Sequence, residues 1–263
     1  MPILECITLH WGLVINYAKT KILVVADLTT TAAAQPSAGT ATPAVAAPAL
    51  PTAMQLAHGS IEHVHTFSYL GNIVEAGGGQ EHEVNKRLAA AGHSFRQLQQ
   101  RVFRSKRISL GVKMQLYKTI VMPALMYGSG ETWALTSAQL HRLDVFNNSC
   151  LRRIMCISRL QHVRNDELYA RAGQPAVSKL VQSNRLRWLG HVARSADARV
   201  TKQLLFAHAV PSGCSVPGRP KLSWRELVRR DLQELGFDSS WFVECQDRSV
   251  WNGIVMDSGA APR

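Results

Sequence analysis

Acidic residues are scarce in this chain of 263 residues: 18 aspartates and glutamates face 30 lysines and arginines, a formal net charge of +12. An excess of that size points to an anionic partner, nucleic acid before membrane. The carboxylates are also scattered. No Asp-Asp pair or D-x-D occurs, so the converging acids that two-metal phosphoryl transfer requires are missing. The five cysteines, Cys6, Cys150, Cys156, Cys214 and Cys245, include no C-x-x-C pair. Neither a disulfide framework nor a zinc knuckle is therefore indicated, and idle thiols in a reducing compartment are the better reading. The N-terminus lacks a basic leader, being broken by Glu5 and His10, and no apolar run is long enough to span a membrane. No phosphate-binding loop, nucleotide-binding glycine fingerprint or nucleophile elbow is found. The expected setting is intracellular, nuclear or cytoplasmic, without a membrane.

What is present is unevenly spread. Residues 84–130 carry nine basic side chains and no acidic one: Lys86, Arg87, Arg96, Arg101, Arg104, Lys106, Arg107, Lys113 and Lys118. A block of this kind is harder to attribute to solvation than a diffuse excess. Residues 28–57 are almost wholly Ala, Pro and Thr and carry no charge, which suggests a loose linker. "GLVINYAKTKILVV" before it reads as a turn and a strand, and "IEHVHTFSYLGNIVEAGGG" after it as one or two strands closing at Gly77–Gly79.

Beyond residue 80 the period becomes helical. Val84, Leu88, Ala91, Phe95, Leu98 and Val102 form one stripe, with Lys86, Arg87, Arg96 and Arg101 on its flanks and back. Ser109 can cap a second helix, which Pro123 should stop or kink near Met122. Thr136 with Gln139, and Ser223 with Glu226, have capping-box spacing. A helix over 176–194 places Val177, Val181, Trp188 and Val192 on one face.

Individual candidates for chemistry are modest. His63 and His65 share a strand face, but no further ligand at metal spacing accompanies them, so an ordinary strand surface is the better reading. Asp27 reads as a turn residue. Trp188 and His191 suggest base stacking, yet both fall on the apolar stripe, which favours core packing. "GRPKLSW" (218–224) fits both a phosphate-binding helix start and a plain loop.

A succession of segments adds to this reading. "GLVINYAKTKILVV" resembles G-L-x-I-N-x-x-K-T-K plus a strand, which closes the palm of reverse transcriptases from non-LTR (LINE-type) retrotransposons. "IEHVHTFSYLGNIV" resembles the primer-grip motif V-x-x-F-x-Y-L-G of that family, and "HEVNKRLAAAGHSFRQL" with "KMQLYKTIVMPALMYGSGETWAL" its thumb. "CLRRIMCI", "VRNDELYARAGQP", "NRLRWLGHVARSADARVTKQLLF", "GRPKLSWRELVRRDLQELG" and "DRSVWNGIV" are similar, in order, to its C-terminal region. Two departures stand out: residues 28–57 replace a shorter hairpin link, and "YGSGETW" carries one residue more than the family's Y-G-S-E-T-W.

The resemblance implies an α+β, predominantly α chain. Its parts would be a palm remnant (1–27), the disordered linker (28–57), a primer-grip hairpin (58–79), thumb-like helices (80–135) and a C-terminal helical region (136–263). It implies Lys19 near the phosphates of an incoming nucleotide and Phe67, Tyr69, Leu70 and Gly71 as primer grip. Lys86, Arg87, Arg96, Arg101, Arg104, Lys106 and Arg107 are the expected nucleic-acid-binding residues, and RNA and an RNA–DNA template-primer the expected partners. The family's catalytic aspartates, which hold its magnesium, match nothing in this chain. The expectation is thus a fragment without its own cofactor, inactive alone, of an RNA-directed DNA polymerase. A domesticated, non-enzymatic nucleic-acid-binding remnant is the alternative.

Overall fold

A computed structural model describes residues 7–24 (without 9 and 13), 53–56, 59–206 (without 129), 223–237 and 241–259. The fold is α+β and predominantly α, and it divides between Gly79 and Gln80 into two compact units. Among the described residues no helix is long and apolar enough to cross a membrane.

The first unit is built from short strands. β1 (Lys21–Ile22) runs parallel to β3 (Gly59–His63), and β2 (Ala53–Leu56) pairs antiparallel with β3, giving the order β1-β3-β2. β2 occupies the end of the stretch expected to be linker, so that expectation is corrected for residues 53–56. The ladder from Ala53↔Glu62 to Leu56↔Gly59 satisfies backbone groups and needs no large side chain, which is why composition did not reveal it. Residues 28–52 and 57, the rest of that stretch, lie outside the described residues, as does Asp27. Ile61 is the buried centre of β3. Gly59 matters because the Tyr17 ring lies where its side chain would be, with Cγ 2.8 Å from the position of a Cβ. β4 (Thr66–Tyr69) and β5 (Asn72–Glu75) form a separate antiparallel hairpin.

The second unit is helical. α1 (Glu81–Leu98) buries Val84, Ala91 and Phe95 and packs Leu88 and Leu98 beside them, as its stripe predicts. It widens into a π-turn over Gln99–Phe103, where Phe103 stacks on Phe95 with centroids 4.9 Å apart. Ser109 caps α2 (Leu110–Leu116), accepting from the Val112 N–H at 3.5 Å. Pro123 does not stop this helix. The backbone widens into a second π-turn, Tyr117–Val121, and continues as α3 (Met122–Met126). Proline cannot donate to the carbonyl one turn back, and the wider turn absorbs that missing bond.

α4 (Ser137–Ile154) starts at the full Thr136/Gln139 capping box. α5 (Asn165–Ala172) ends on the left-handed Gly173. α6 (Val177–Ala193) follows, then α7 (Val200–Phe206), α8 (Trp224–Glu234), α9 (Trp241–Glu244) and α10 (Arg248–Gly259). At α8 only half of the expected box forms: Ser223 Oγ accepts from the Glu226 N–H at 3.1 Å, while the Glu226 carboxylate turns to Arg229.

Two cores result, and α6 is shared by both. Val177 and Val181, in its first turns, join Phe95, Tyr117, Leu125, Leu143 and Leu168. Leu186, Leu189 and Ala193, further along, join Val228, Leu232, Trp251 and Val255. A helix enclosed along successive faces cannot show one clean apolar stripe.

Candidate nucleic-acid interface

In the first unit, Asn16 builds the turn that presents Lys19. Its Oδ1 accepts from the Lys19 N–H at 3.1 Å, and its carbonyl accepts from the Thr20 N–H at 2.9 Å and hydroxyl at 2.8 Å. The I-N-x-x-K-T spacing is thus the spacing of one side-chain-closed turn. Lys19 is exposed. Lys21, two residues on, is drawn into an ion pair with Glu62 at 2.7 Å, which holds the Glu62 carboxyl below its ordinary range. Only Lys19 of the two keeps an ammonium without an ion-pair partner among the described residues.

Phe67 and Tyr69 lie on β4, and Leu70 and Gly71 form the two-residue turn between Tyr69 and Asn72. Both turn residues have positive φ, +48° and +83°. That is the twist-matched hairpin turn that normally selects Asn-Gly. A leucine in this region is costly, and nothing local rewards it, since Leu70 is 74% exposed and Tyr69 62%. Phe67 is half-buried.

The basic block of the second unit divides in two. Arg87 is buried, with Nε 2.5 Å from Glu83 and its guanidinium 5.0 Å from the centre of the Tyr127 ring. It is therefore engaged inside the fold and not on the back of its helix. Lys86, one residue earlier, is half-buried. Lys113 is buried, and Lys118 donates to the Gly173 carbonyl at 2.7 Å. Arg96, Arg101, Arg104, Lys106 and Arg107 are all exposed, on the last turns of α1, the π-turn and the bend after it. Among them Arg104 makes a long bond, 3.3 Å, to Gln100. This stretch holds five cations with no acid among them, a surface suited to phosphate oxygens.

Phe95 and Phe103, the buried residues of this stretch, pack edge-on to Tyr117, whose hydroxyl enters a buried polar network. Tyr117 Oη donates to Asn147 Oδ1 at 2.8 Å, and Gln174 Nε2 donates to the same oxygen at 3.1 Å. Burial raises the Tyr117 phenol well above its usual range and pushes the Cys150 thiol up to about 12, so neither is a nucleophile at neutral pH.

Sequence spacing misplaced Trp188 and His191. Val177, Val181, Leu186 and Leu189 are buried in α6, whereas Trp188 is only half-buried and His191 is exposed. Their rings stack with centroids 5.2 Å apart and planes 28° from parallel. The signal that could have found them is the Arg187–Trp188–His191–Arg194 spacing, which keeps one cationic and aromatic face together on a helix.

No family model matches the chain, and no solved structure does. The chain is similar to a transposon-derived protein of Caenorhabditis elegans, 26% identical over 205 residues that cover 74% of this chain and 71% of that relative. This likeness supports a transposon origin.

Proposed function

We propose that the chain is the C-terminal part of a non-LTR retrotransposon reverse transcriptase and that it holds an RNA–DNA template-primer. The observation that carries this is one arrangement read along the chain. An exposed, strained hairpin tip, Tyr69–Leu70–Gly71, stands where the primer-grip motif is matched, and the helix that follows ends in the exposed cations 96–107. Similarity to a transposon-derived protein supports the same reading. In it Lys19 contacts nucleotide phosphates, the hairpin tip touches the primer end, and Arg96, Arg101, Arg104, Lys106 and Arg107 neutralise backbone phosphates. Such contacts position a duplex without reading its sequence.

The parent reaction uses a magnesium pair. Among the described residues no three His, Cys, Asp or Glu side chains gather at one place. No catalytic step is assigned to them.

Salt dependence tests the phosphate surface. Each neutralised phosphate contributes about −0.9 to the slope of log K against log salt on duplex DNA. Replacing Arg101, Arg104, Lys106 and Arg107 with alanine should flatten the slope for an RNA–DNA hybrid by roughly two to three units, equally for unrelated sequences. A variant folded by circular dichroism that keeps both affinity and slope removes this surface from the reading.

A further inference from the structure

We infer that the Trp188–His191 stack is a docking platform for an unpaired nucleobase, and that the C-terminal helical region thereby carries a second, single-strand-binding site. This goes beyond the phosphate surface at 96–107 and does not share residues with it. The stack borders an open hollow of about 630 Å³ in the second unit. Hollows of roughly 300–1,000 Å³ are the usual size for a small planar ligand.

The chemistry of the walls is specific. Three arginines reach the hollow, Arg187, Arg194 and Arg248, against one carboxylate, Glu131. Arg187 is steadied by Asn184 at 3.2 Å and Arg194 by the Cys245 carbonyl at 2.6 Å, so both guanidiniums are held in place while keeping further N–H groups to donate. Arg248 has no hydrogen-bond or ion-pair partner among the described residues. Planar guanidiniums match phosphate oxygens, and an imidazole lying on an indole presents a flat π-face that any base can extend. Glu131 and Asn252 add an acceptor and an amide at the rim, suited to the exocyclic groups of a base.

Aromatic face plus clustered arginines selects single strands over duplex, because paired bases have their faces covered by their neighbours. An acidic peptide would use the arginines but leave the stack without a role. The same chemistry serves RNA and DNA, and the platform has no feature that distinguishes the 2′-hydroxyl.

The test uses the full chain and a fluorescent oligothymidylate, compared with a strand of equal length made of abasic residues. His191→Ala is the primary variant, since an exposed side chain can be removed without disturbing the core, and Trp188→Leu the second. Losing base stacking should weaken oligothymidylate binding about 5- to 150-fold, the range expected from truncating stacking side chains. The salt slope should be unaltered, and the abasic strand should bind wild type and variants alike. The proposal is overturned if the wild-type chain does not bind oligothymidylate, or if folded His191→Ala binds it as wild type does. An equal loss on the abasic strand overturns it as well. The hybrid-binding slope of the 96–107 variant is read separately, so failure of either site leaves the other standing.

Discussion

Leu70 shows how a single residue can contradict its own local structure. Its φ of +48° lies in the left-handed region, which disfavours non-glycine residues by roughly 1–2 kcal/mol, and its side chain is exposed. Leu70→Asn should therefore stabilise the β4–β5 hairpin by about 1 kcal/mol, visible as slower amide exchange between Thr66 and Glu75. If Leu70 touches the primer end, the same substitution should weaken hybrid binding, and a gain in both would detach this residue from the proposed grip. Residues also mark the limits of reading a sequence. Thr136 and Ser109 act on neighbours three positions away, so their roles as caps were legible. Arg87 was not, because the ring that covers it, Tyr127, is forty positions away in the chain.

At the scale of elements, α6 and α10 are locked by one glycine and one tryptophan. Trp251 is fully buried and its indole N–H donates to the Leu186 carbonyl at 2.9 Å. A Cβ on Gly190 would lie 2.5 Å from Trp251 Cδ1 and closer still to Nε1. Alanine is the better helix former by about 1 kcal/mol, but overpacking typically costs about 1–3 kcal/mol, and displacing the indole also breaks its hydrogen bond. Gly190→Ala should thus destabilise the chain in denaturant titration, and Trp251→Ala should cost about 3–5 kcal/mol through the cavity it leaves. In the Trp251→Ala background the clash is gone, so Gly190→Ala should become neutral or stabilising. A Gly190→Ala cost that persists there would show that something other than the indole requires the glycine. Individual helices were legible from their caps and stripes. The phase of α6 was not, because two cores enclose different faces of it and Trp188 sits at the border between buried and open.

For the molecule as a whole, the pH dependence of stability hinges on the buried pair Arg185–Asp231, 2.9 Å apart, which joins α6 to α8. Desolvation dominates both partners. It raises Asp231 to about 6 against the pull of Arg185, with Glu234 raising it further and Gln182 and Arg230 lowering it, and it lowers Arg185. The folded pKa of Asp231 lies above its unfolded value, so the folded state takes up the proton first. Its contribution to stability is complete below the unfolded value near 3.8 and is lost as pH rises through about 6. Glu81, Glu226, Asp197 and Asp247 are shifted the other way by hydrogen bonds. Their contributions are present above their ordinary values and lost only as pH falls through their lowered ones. Between pH 7 and 5 the Asp231 effect therefore stands apart, and the melting temperature should rise on acidification across that window before falling in stronger acid. Asp231→Asn, a neutral near-isostere of the protonated acid, should abolish the rise and hold at pH 7 about the stability that the unaltered chain reaches once Asp231 is protonated. The double replacement Arg185→Met, Asp231→Leu should fold at least as stably as the unaltered chain at pH 7, since an apolar pair of similar volume is commonly neutral or stabilising, and its melting temperature should be flat from pH 7 to 5. A rise that survives in the double variant would place the titrating group elsewhere.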